Sequence, residues 1–318
     1  MALATTLHLL KFLLFHKCFL FAKMTIPQNL RDAASGLKQL NVKSGTTPTL
    51  SDYLRDFLNE YDPLGWDLGT EDIWYRARKC EGGVPFNDLY EMIYTPAPLA
   101  KIGRANFPNQ SIHYAAWNKS TALDEIGAQT GDLIQLIAVR LRQNANVIAT
   151  RFGVYQELYS TGQVRYAPNL AIYIKKILEQ KPLTPIFIDS VLTEELRDPN
   201  SDYLVTSTLA NLHYTDESGL IFPSVRNFGG LNLAVPAKVF DSKFEVLFTE
   251  VVKISDSFGY GLYHPTVIGR SCDFSQKGNI NWGSKKELRF SFAMHGGLKE
   301  DIRSDGWQVK QALRSTGR

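Results

Sequence analysis

The residue types that could carry chemistry lie in four short motifs in the middle of the chain. They are Tyr75-Arg76, Gly103-Arg104-Ala105-Asn106, Thr121-Ala122-Leu123-Asp124-Glu125 and Pro223-Ser224. Guanidinium groups match phosphate oxygens bidentately, and a carboxylate can stabilise positive charge that develops in a transition state. A serine hydroxyl can donate a hydrogen bond to a sugar or a phosphate. Arg76, Arg104, Glu125 and Ser224 therefore form a candidate site for a phosphate-bearing substrate.

Two spacings connect these motifs to a predicted strand at 113–116. Tyr114 lies ten residues after Arg104 and eleven residues before Glu125. Its ring could stack on a flat cationic group, with a cation–π contribution of about 0.5–2 kcal/mol. His113 points to the opposite face of an alternating strand, and we interpret it as structural. Arg78 shares the strand face of Arg76 and is the alternative to it.

Each motif alone also has an ordinary structural interpretation. An arginine on a strand is commonly a solvated edge residue. A glutamate at the start of a helix complements the helix dipole. The sequence predicts a helix that begins near Thr121, with Ser120 as its N-cap and Glu125 in its first turn. The functional hypothesis therefore rests on the combination of motifs.

This combination resembles the RES domain family, which is named for its arginine, glutamate and serine. The family pattern is an early Tyr-Arg, then Gly-Arg-x-Asn before a Tyr-x-Ala strand, then Thr-Ala-x-x-Glu, and late a Pro-Ser followed by Asn-Leu. The chain offers Tyr75-Arg76, Gly103 to Asn106, Tyr114-Ala115-Ala116, Thr121 to Glu125, Pro223-Ser224 and Asn232-Leu233. The resemblance covers about residues 70–255. The chain departs from the pattern at Trp117-Asn118-Lys119, where small and charged residues are usual, and it is longer at both ends.

The resemblance implies an α+β fold like that of ADP-ribosyltransferases, with NAD in a cleft between two parts of the sheet. It implies that the protein destroys NAD by phosphorolysis or hydrolysis of the nicotinamide–ribose bond. NAD is then a substrate rather than a cofactor, with inorganic phosphate as one candidate co-substrate. Glu125, Arg76 and Arg104 would be catalytic, and Arg76, Arg104, Tyr114 and Ser224 would bind NAD. Many family members look like toxins, so an antitoxin protein is a candidate partner.

Two other functions stay open at this point. An ADP-ribosyltransferase that modifies a protein breaks the same bond and would use the same arginine, tyrosine and glutamate. A catalytically inactive interaction module would bind a partner through a predicted helix at 49–61 and through the C-terminal segment. Labelled NAD distinguishes the three hypotheses: free ADP-ribose or its phosphate, labelled protein, or no loss of NAD.

Composition and missing motifs exclude several other classes. The 318 residues are 44% hydrophobic and 21% charged, which is typical of a globular protein. A net charge of +3 is too small for a dedicated nucleic-acid binder. The sequence contains no phosphate loop, no Gly-x-Gly-x-x-Gly fingerprint and no Gly-x-Ser-x-Gly elbow. The three cysteines, Cys18, Cys80 and Cys272, are far apart, and no His-Glu-x-x-His occurs. We therefore expect no metal site and a cytoplasmic protein, with the oligomeric state open.

The chain divides into four predicted segments. Residues 1–23 are apolar, but Lys11 and Lys17 interrupt the apolar run, which argues against a membrane span. We interpret them as an extension that the natural protein lacks, with a membrane-surface anchor as the alternative. Residues 24–69 are predicted to be a polar linker and a helix that starts at a Thr49-x-x-Asp52 capping box. Residues 70–255 form the RES domain, and 256–318 form a C-terminal extension. Both flanking segments are expected to cover exposed sheet edges.

Hydrophobic periodicity gives the predicted elements. Further helices are predicted at 170–180, at 200–213 with Ser201 as the cap, and at the end of the tail. Strands and helices mix without a regular βαβ repeat, which favours an α+β fold over a doubly wound parallel sheet. Besides 113–116, strands are predicted at 73–78, 133–141, 147–151, 220–223, 231–235, 244–254 and 288–292.

Overall fold

The computed structural model describes most of the chain after residue 25. The described ranges are 26–39, 47–164, 170–180, 183–198, 203–259, 261–283, 290–293, 299–303 and 306–310. The predicted apolar segment 1–23 and the predicted cap Ser201 lie outside these residues. In the described part of the chain, no helix has the length and apolar character that crossing a membrane requires.

The described helices and strands are numbered here in chain order. The helices are α1 (Gln28–Gln39), α2 (Thr47–Asn59), α3 (Tyr90–Ile93), α4 (Lys119–Glu125), α5 (Val154–Thr161), α6 (Leu170–Gln180), α7 (Thr184–Arg197), α8 (Leu204–His213) and α9 (Ala237–Lys243). The strands are β1 (Leu64–Asp67), β2 (Trp74–Lys79), β3 (Ile112–Ala116), β4 (Leu133–Leu141), β5 (Ile148–Arg151), β6 (Ser218–Pro223), β7 (Leu231–Pro236), β8 (Phe244–Gly259), β9 (Leu262–Ser271), β10 (Phe290–Ala293), β11 (Lys299–Arg303) and β12 (Gly306–Lys310).

The chain forms two compact units, of which the first is helical. It comprises Met1–Pro63 and Phe152–Glu194. Helix α1 occupies part of the segment predicted as a linker, so that prediction was wrong. Its Leu30, Ala33 and Leu37 repeat at helical spacing and are buried, but polar residues between them hide the pattern. Helix α2 confirms the predicted helix, although it begins at Thr47, before the predicted capping box.

The second unit contains a nine-stranded mixed sheet. It comprises Leu64–Arg151 and Glu195–Arg318. The strand order is β1-β5-β6-β7-β3-β2-β4-β8-β9, and β5 with β6 is its parallel pair. Helices α3, α4, α8 and α9 pack against this sheet. The predicted α+β class is therefore confirmed, and the architecture is compatible with the ADP-ribosyltransferase-like fold that the resemblance implies.

The edges of the sheet come from strands that the sequence analysis did not predict. Strand β1 pairs with β5 at one edge, and β9 pairs with β8 at the other. Both lie in the flanking segments, which were expected to cover sheet edges. Strand β9 escaped prediction because most of its side chains are exposed, so it lacks an apolar face. In the tail, β10 overlaps the strand predicted at 288–292, and β11 and β12, which were not predicted, pair with it in a three-stranded sheet. The end of the tail, residues 311–318, where a helix was predicted, lies outside the described residues.

Helix α4 differs from its prediction in both its cap and its length. Its N-cap is Asn118, whose side chain accepts a hydrogen bond of 2.8 Å from the Thr121 N–H. The predicted cap, Ser120, instead donates to Asn118 Oδ1 at 2.9 Å. The helix has seven residues, and Glu125 is the last of them. A glutamate at that end does not complement the helix dipole, so the ordinary interpretation of Glu125 fails.

The cap of α4 can be tested by substitution. We expect Asn118→Ala to lower the free energy of unfolding by about 0.5–2 kcal/mol, because the Thr121 N–H loses its acceptor. Ser120→Ala is the control and should cost less, since its hydroxyl only donates to Asn118. Urea unfolding followed by circular dichroism measures both changes. Equal losses, or a larger loss for Ser120→Ala, would contradict the assignment.

Candidate active site

A cavity of about 330 Å³ opens in the second unit beside β2, β3, α4 and β7. This volume lies in the usual range for a ligand pocket. Four of the five site residues that the sequence analysis selected line it together: Arg76, Arg104, Tyr114 and Glu125. The fifth, Ser224, is buried and bonds to Glu125 instead. The wall also includes Tyr75, Tyr203, Phe222, Arg226 and Asn232.

The carboxylate of Glu125 is fixed by one of its two oxygens. Oε1 accepts a hydrogen bond of 2.6 Å from Ser224 Oγ and another of 2.7 Å from Asn232 Nδ2. Among the described residues, no group donates to Oε2. Asn232 is held on β7, where it pairs in register with Ala116 of β3. The arrangement leaves one carboxylate oxygen available to a ligand in the cavity.

Ser224 begins a tight loop, residues 224–230, which we call the site loop. Its Oγ accepts hydrogen bonds from the backbone N–H groups of Arg226 and Asn227, at 3.2 and 2.9 Å. Its own N–H donates to the Gly230 carbonyl at 2.8 Å. A Cβ at Gly230 would lie 2.6 Å from Thr121 Oγ1, so glycine lets the loop approach α4. Ser224 therefore orients Glu125.

Arg76 is a half-buried cation that has no counter-ion among the described residues. Its Nη1 donates to the Tyr114 carbonyl at 3.3 Å, and its Nε is buried without a hydrogen-bond partner. Burial, with a smaller contribution from Arg78, lowers the pKa of Arg76 to about 10. Burying a charge is costly unless it is paired. An unpaired guanidinium on a cavity wall therefore indicates a binding site for an anion.

Two more guanidinium groups line the cavity. Arg104 donates to the Leu196 carbonyl and lies 5.2 Å from the centre of the Tyr203 ring. Arg226 is exposed, with its Nη1 3.5 Å from the Asp124 carbonyl. Within the described part of the chain, neither arginine forms an ion pair with a carboxylate. The cavity therefore carries three guanidinium groups against the single carboxylate of Glu125.

Tyr114 is held by the motif that precedes it. Its hydroxyl donates to Asn106 Oδ1 and accepts from the Ala105 N–H, both at 2.8 Å. Asn106 in turn donates to the carbonyls of Lys101 and Phe107. Burial raises the pKa of Tyr114, so its hydroxyl stays protonated near neutral pH. The asparagine of Gly-Arg-x-Asn thus fixes the tyrosine.

Three residues considered in the sequence analysis do not line the cavity. Arg78 donates to the Glu91 carbonyl and lies 4.4 Å above the Phe86 ring. His113 is fully buried, with its Nδ1 2.6 Å from the Ile93 carbonyl, and burial lowers its pKa to about 3. Asp124, which directly precedes Glu125 in its motif, accepts hydrogen bonds from the side chains of Tyr263 and Asn227. No group of His, Cys, Asp and Glu among the described residues is placed to hold a metal ion.

The departure from the family pattern at 117–119 has local structural roles. Trp117 packs against Trp66 and Trp74, with ring centres 5.4 and 4.9 Å away. Asn118 caps α4, and Lys119 forms an ion pair of 2.6 Å with buried Glu250. These contacts hold the start of the helix whose last residue is Glu125. None of these three residues lines the cavity.

Sequence reasoning missed three of the polar side chains that line the cavity. Asn232 belongs to the quoted Asn-Leu motif, and Arg226 follows Pro-Ser by two residues, so each had a signal. Tyr203 had none: its backbone adopts φ +68°, and it reaches Arg104 from 99 positions away along the chain.

One of three comparisons with known proteins finds a match for this chain. The family model described as "RES domain" matches residues 73–246, which is more than half of the chain. No curated protein and no solved structure matches the sequence. The matched range includes all five selected residues and every other residue named above as part of the cavity wall. The chain therefore belongs to the RES domain family.

Proposed function

We propose that the protein consumes NAD by cleaving the bond between nicotinamide and ribose. The observation that carries this proposal is a set of arginines that line the cavity together with one fixed carboxylate and have no carboxylate partner among the described residues. The pyrophosphate of NAD carries two negative charges, and planar guanidinium groups match its oxygens. The ribose that becomes positively charged during cleavage requires a carboxylate nearby. A single NAD molecule therefore offers anionic groups to the arginines and a developing positive charge to the carboxylate.

The chemistry of the leaving group fits a site that has few groups for general acid–base catalysis. Nicotinamide leaves NAD as a neutral molecule, so the reaction needs no general acid. The difficult species is the oxocarbenium-like ribose. Oε2 of Glu125 is the group we assign to its stabilisation, since Oε1 is occupied by Ser224 and Asn232. The proposal therefore makes Glu125 the catalytic carboxylate.

The second substrate is water or inorganic phosphate. With water, a new C–O bond forms at the ribose carbon, nicotinamide departs, and a proton is released to give ADP-ribose. With phosphate, the anion attacks directly and gives the phosphate ester of ADP-ribose. Arg76 and Arg104 match the two negative charges of the pyrophosphate. Arg226 is a third guanidinium group, exposed at the cavity, and it is available to bind a further anion. This supports phosphate as the second substrate.

The proposal includes a compartment and a class of partner. NAD is an intracellular metabolite, so an enzyme that destroys it acts in the cytoplasm. Its activity would harm its own cell, and an antitoxin protein that blocks the cavity would prevent this.

Release of labelled nicotinamide from NAD in the absence of any acceptor protein would support the proposed cleavage of NAD. Label transferred to a protein would instead indicate an ADP-ribosyltransferase, and no loss of NAD would indicate an inactive interaction module.

Glu125→Gln tests the catalytic carboxylate. This change keeps the size and hydrogen-bonding capacity of the side chain but removes its charge. We expect NAD turnover to fall by about a hundredfold or more, while NAD binding and the melting temperature change little. Glu245→Gln, which removes a carboxylate paired with Arg140, is the control and should turn over NAD normally. Turnover of the Glu125→Gln variant within about threefold of the parent would contradict the role.

Arg76→Met separates stability from binding. The change removes the buried Nε, a donor without a partner among the described residues, so the free energy of unfolding should stay unchanged or rise by about 1–3 kcal/mol. NAD binding, measured by calorimetry, should be lost. Arg78→Met is the matched control on the same strand and should keep NAD binding, because Arg78 lies outside the cavity. The opposite pattern would move the anion site to Arg78.

Arg104→Lys tests whether a guanidinium is needed rather than a positive charge. A lysine cannot bond the Leu196 carbonyl and also present a planar fork to a phosphate. We expect a loss of about 1–3 kcal/mol in NAD affinity, the range for hydrogen bonds to charged groups. Arg104→Ala should lose at least as much. Unchanged affinity in the lysine variant would exclude Arg104 from the binding site.

A further inference from the structure

The hairpin formed by β8 and β9 reaches the site loop. Tyr263, on β9, donates its hydroxyl hydrogen to Asp124 Oδ1. Asn227, in the site loop, donates from Nδ2 to Asp124 Oδ2. Asp124 therefore joins the hairpin to the loop with both of its oxygens. It also directly precedes Glu125 in the chain.

These contacts continue to the catalytic carboxylate. The Asn227 N–H donates to Ser224 Oγ at 2.9 Å, and Ser224 Oγ donates to Glu125 Oε1 at 2.6 Å. A continuous series of hydrogen bonds thus runs from Tyr263 through Asp124 to Glu125. Burial, and then the bond to Asp124, raise the pKa of Tyr263, so the phenol stays protonated as a donor at neutral pH.

A glycine lets the hairpin make this approach. Gly261 has φ +72°, which disfavours other residues. A Cβ there would lie 2.6 Å from Asn227 Nδ2 and 2.9 Å from Asp124 Oδ2. Gly261 is therefore packed directly against the side chains of Asn227 and Asp124.

We propose that Tyr263 is a positioning residue of the active site, which acts by fixing the site loop and, through it, the carboxylate of Glu125. Strand β9 lies beyond residue 246, where the family match ends, so this support comes from a part of the chain outside the RES domain. The inference rests on the proposed function. Tyr263 lines no part of the cavity and acts through Asp124.

Tyr263→Phe removes one hydroxyl and keeps the ring. We expect kcat for NAD to fall about tenfold, while KM changes less than about twofold, because Arg76 and Arg104, the arginines proposed to bind NAD, lie outside the site loop. Hydrogen exchange at the N–H groups of Arg226 and Asn227 should become faster. Ser255→Ala is the matched control: it removes a 2.9 Å hydrogen bond to Thr266 in the same hairpin, and it should change none of these quantities.

A reversed pair gives a rescue test. In Asp124→Asn, two amide groups face each other, and kcat should fall at least as far as in Tyr263→Phe. Adding Asn227→Asp restores a donor opposite an acceptor and keeps an oxygen for Tyr263. The double variant should recover kcat to within about threefold of the parent. Failure of the double variant to recover kcat would contradict the coupling of Asp124 and Asn227 to the active site.

The outcomes separate the two proposals. A parent that destroys NAD, with a Tyr263→Phe variant of equal kcat and equal exchange, overturns the positioning role and leaves the proposed function intact. A parent that destroys no NAD, with faster exchange in Tyr263→Phe, overturns the proposed function and confirms that Tyr263 fixes the loop. A rise in KM at unchanged kcat would also contradict the positioning role.

Discussion

The hydrogen bonds to Oε1 of Glu125 are the interaction on which the rest of the site depends. They join three parts of the chain, because Ser224 comes from the site loop, Asn232 from β7 and Glu125 from the end of α4. Each partner is itself held: Ser224 by the loop backbone, Asn232 by the β3–β7 register and α4 by Asn118. A carboxylate anchored by one oxygen needs little reorganisation when charge develops beside the other.

The charged groups of the cavity lower the stability of the protein when no ligand is bound. Arg76 is half-buried, and its Nε is buried without a partner among the described residues. Glu125 is the last residue of α4, where the helix dipole is unfavourable to a carboxylate. A ligand that carries negative charge at one end and develops positive charge at the other offsets both costs. This is why the site supports an anionic substrate better than a purely structural role for the same residues.

The sequence predicted the parts of this site that depend on short spacings. Short motifs, each within one local element, made it possible to predict strands β2 and β3 and the cavity residues Arg76, Arg104, Tyr114 and Glu125. The predicted position of Glu125, in the first turn of its helix, was wrong. Asn118 and Ser120 are both good N-cap residues, and only the folded structure shows which of them caps the helix. The role of Ser224 and the contact from Tyr263 depend on residues about a hundred or more positions apart. No local pattern encodes such contacts, and α1 shows that even a local helix is hidden when its apolar face is small.

The most direct test of the account is a crystal structure of the Glu125→Gln variant with NAD. The account predicts that the pyrophosphate oxygens lie at hydrogen-bond distance, about 2.7–3.2 Å, from the guanidinium groups of Arg76 and Arg104. It also predicts that the ribose carbon bound to nicotinamide faces the substituted side chain at position 125. A dinucleotide bound elsewhere, or one whose pyrophosphate points away from both arginines, would contradict the central claim.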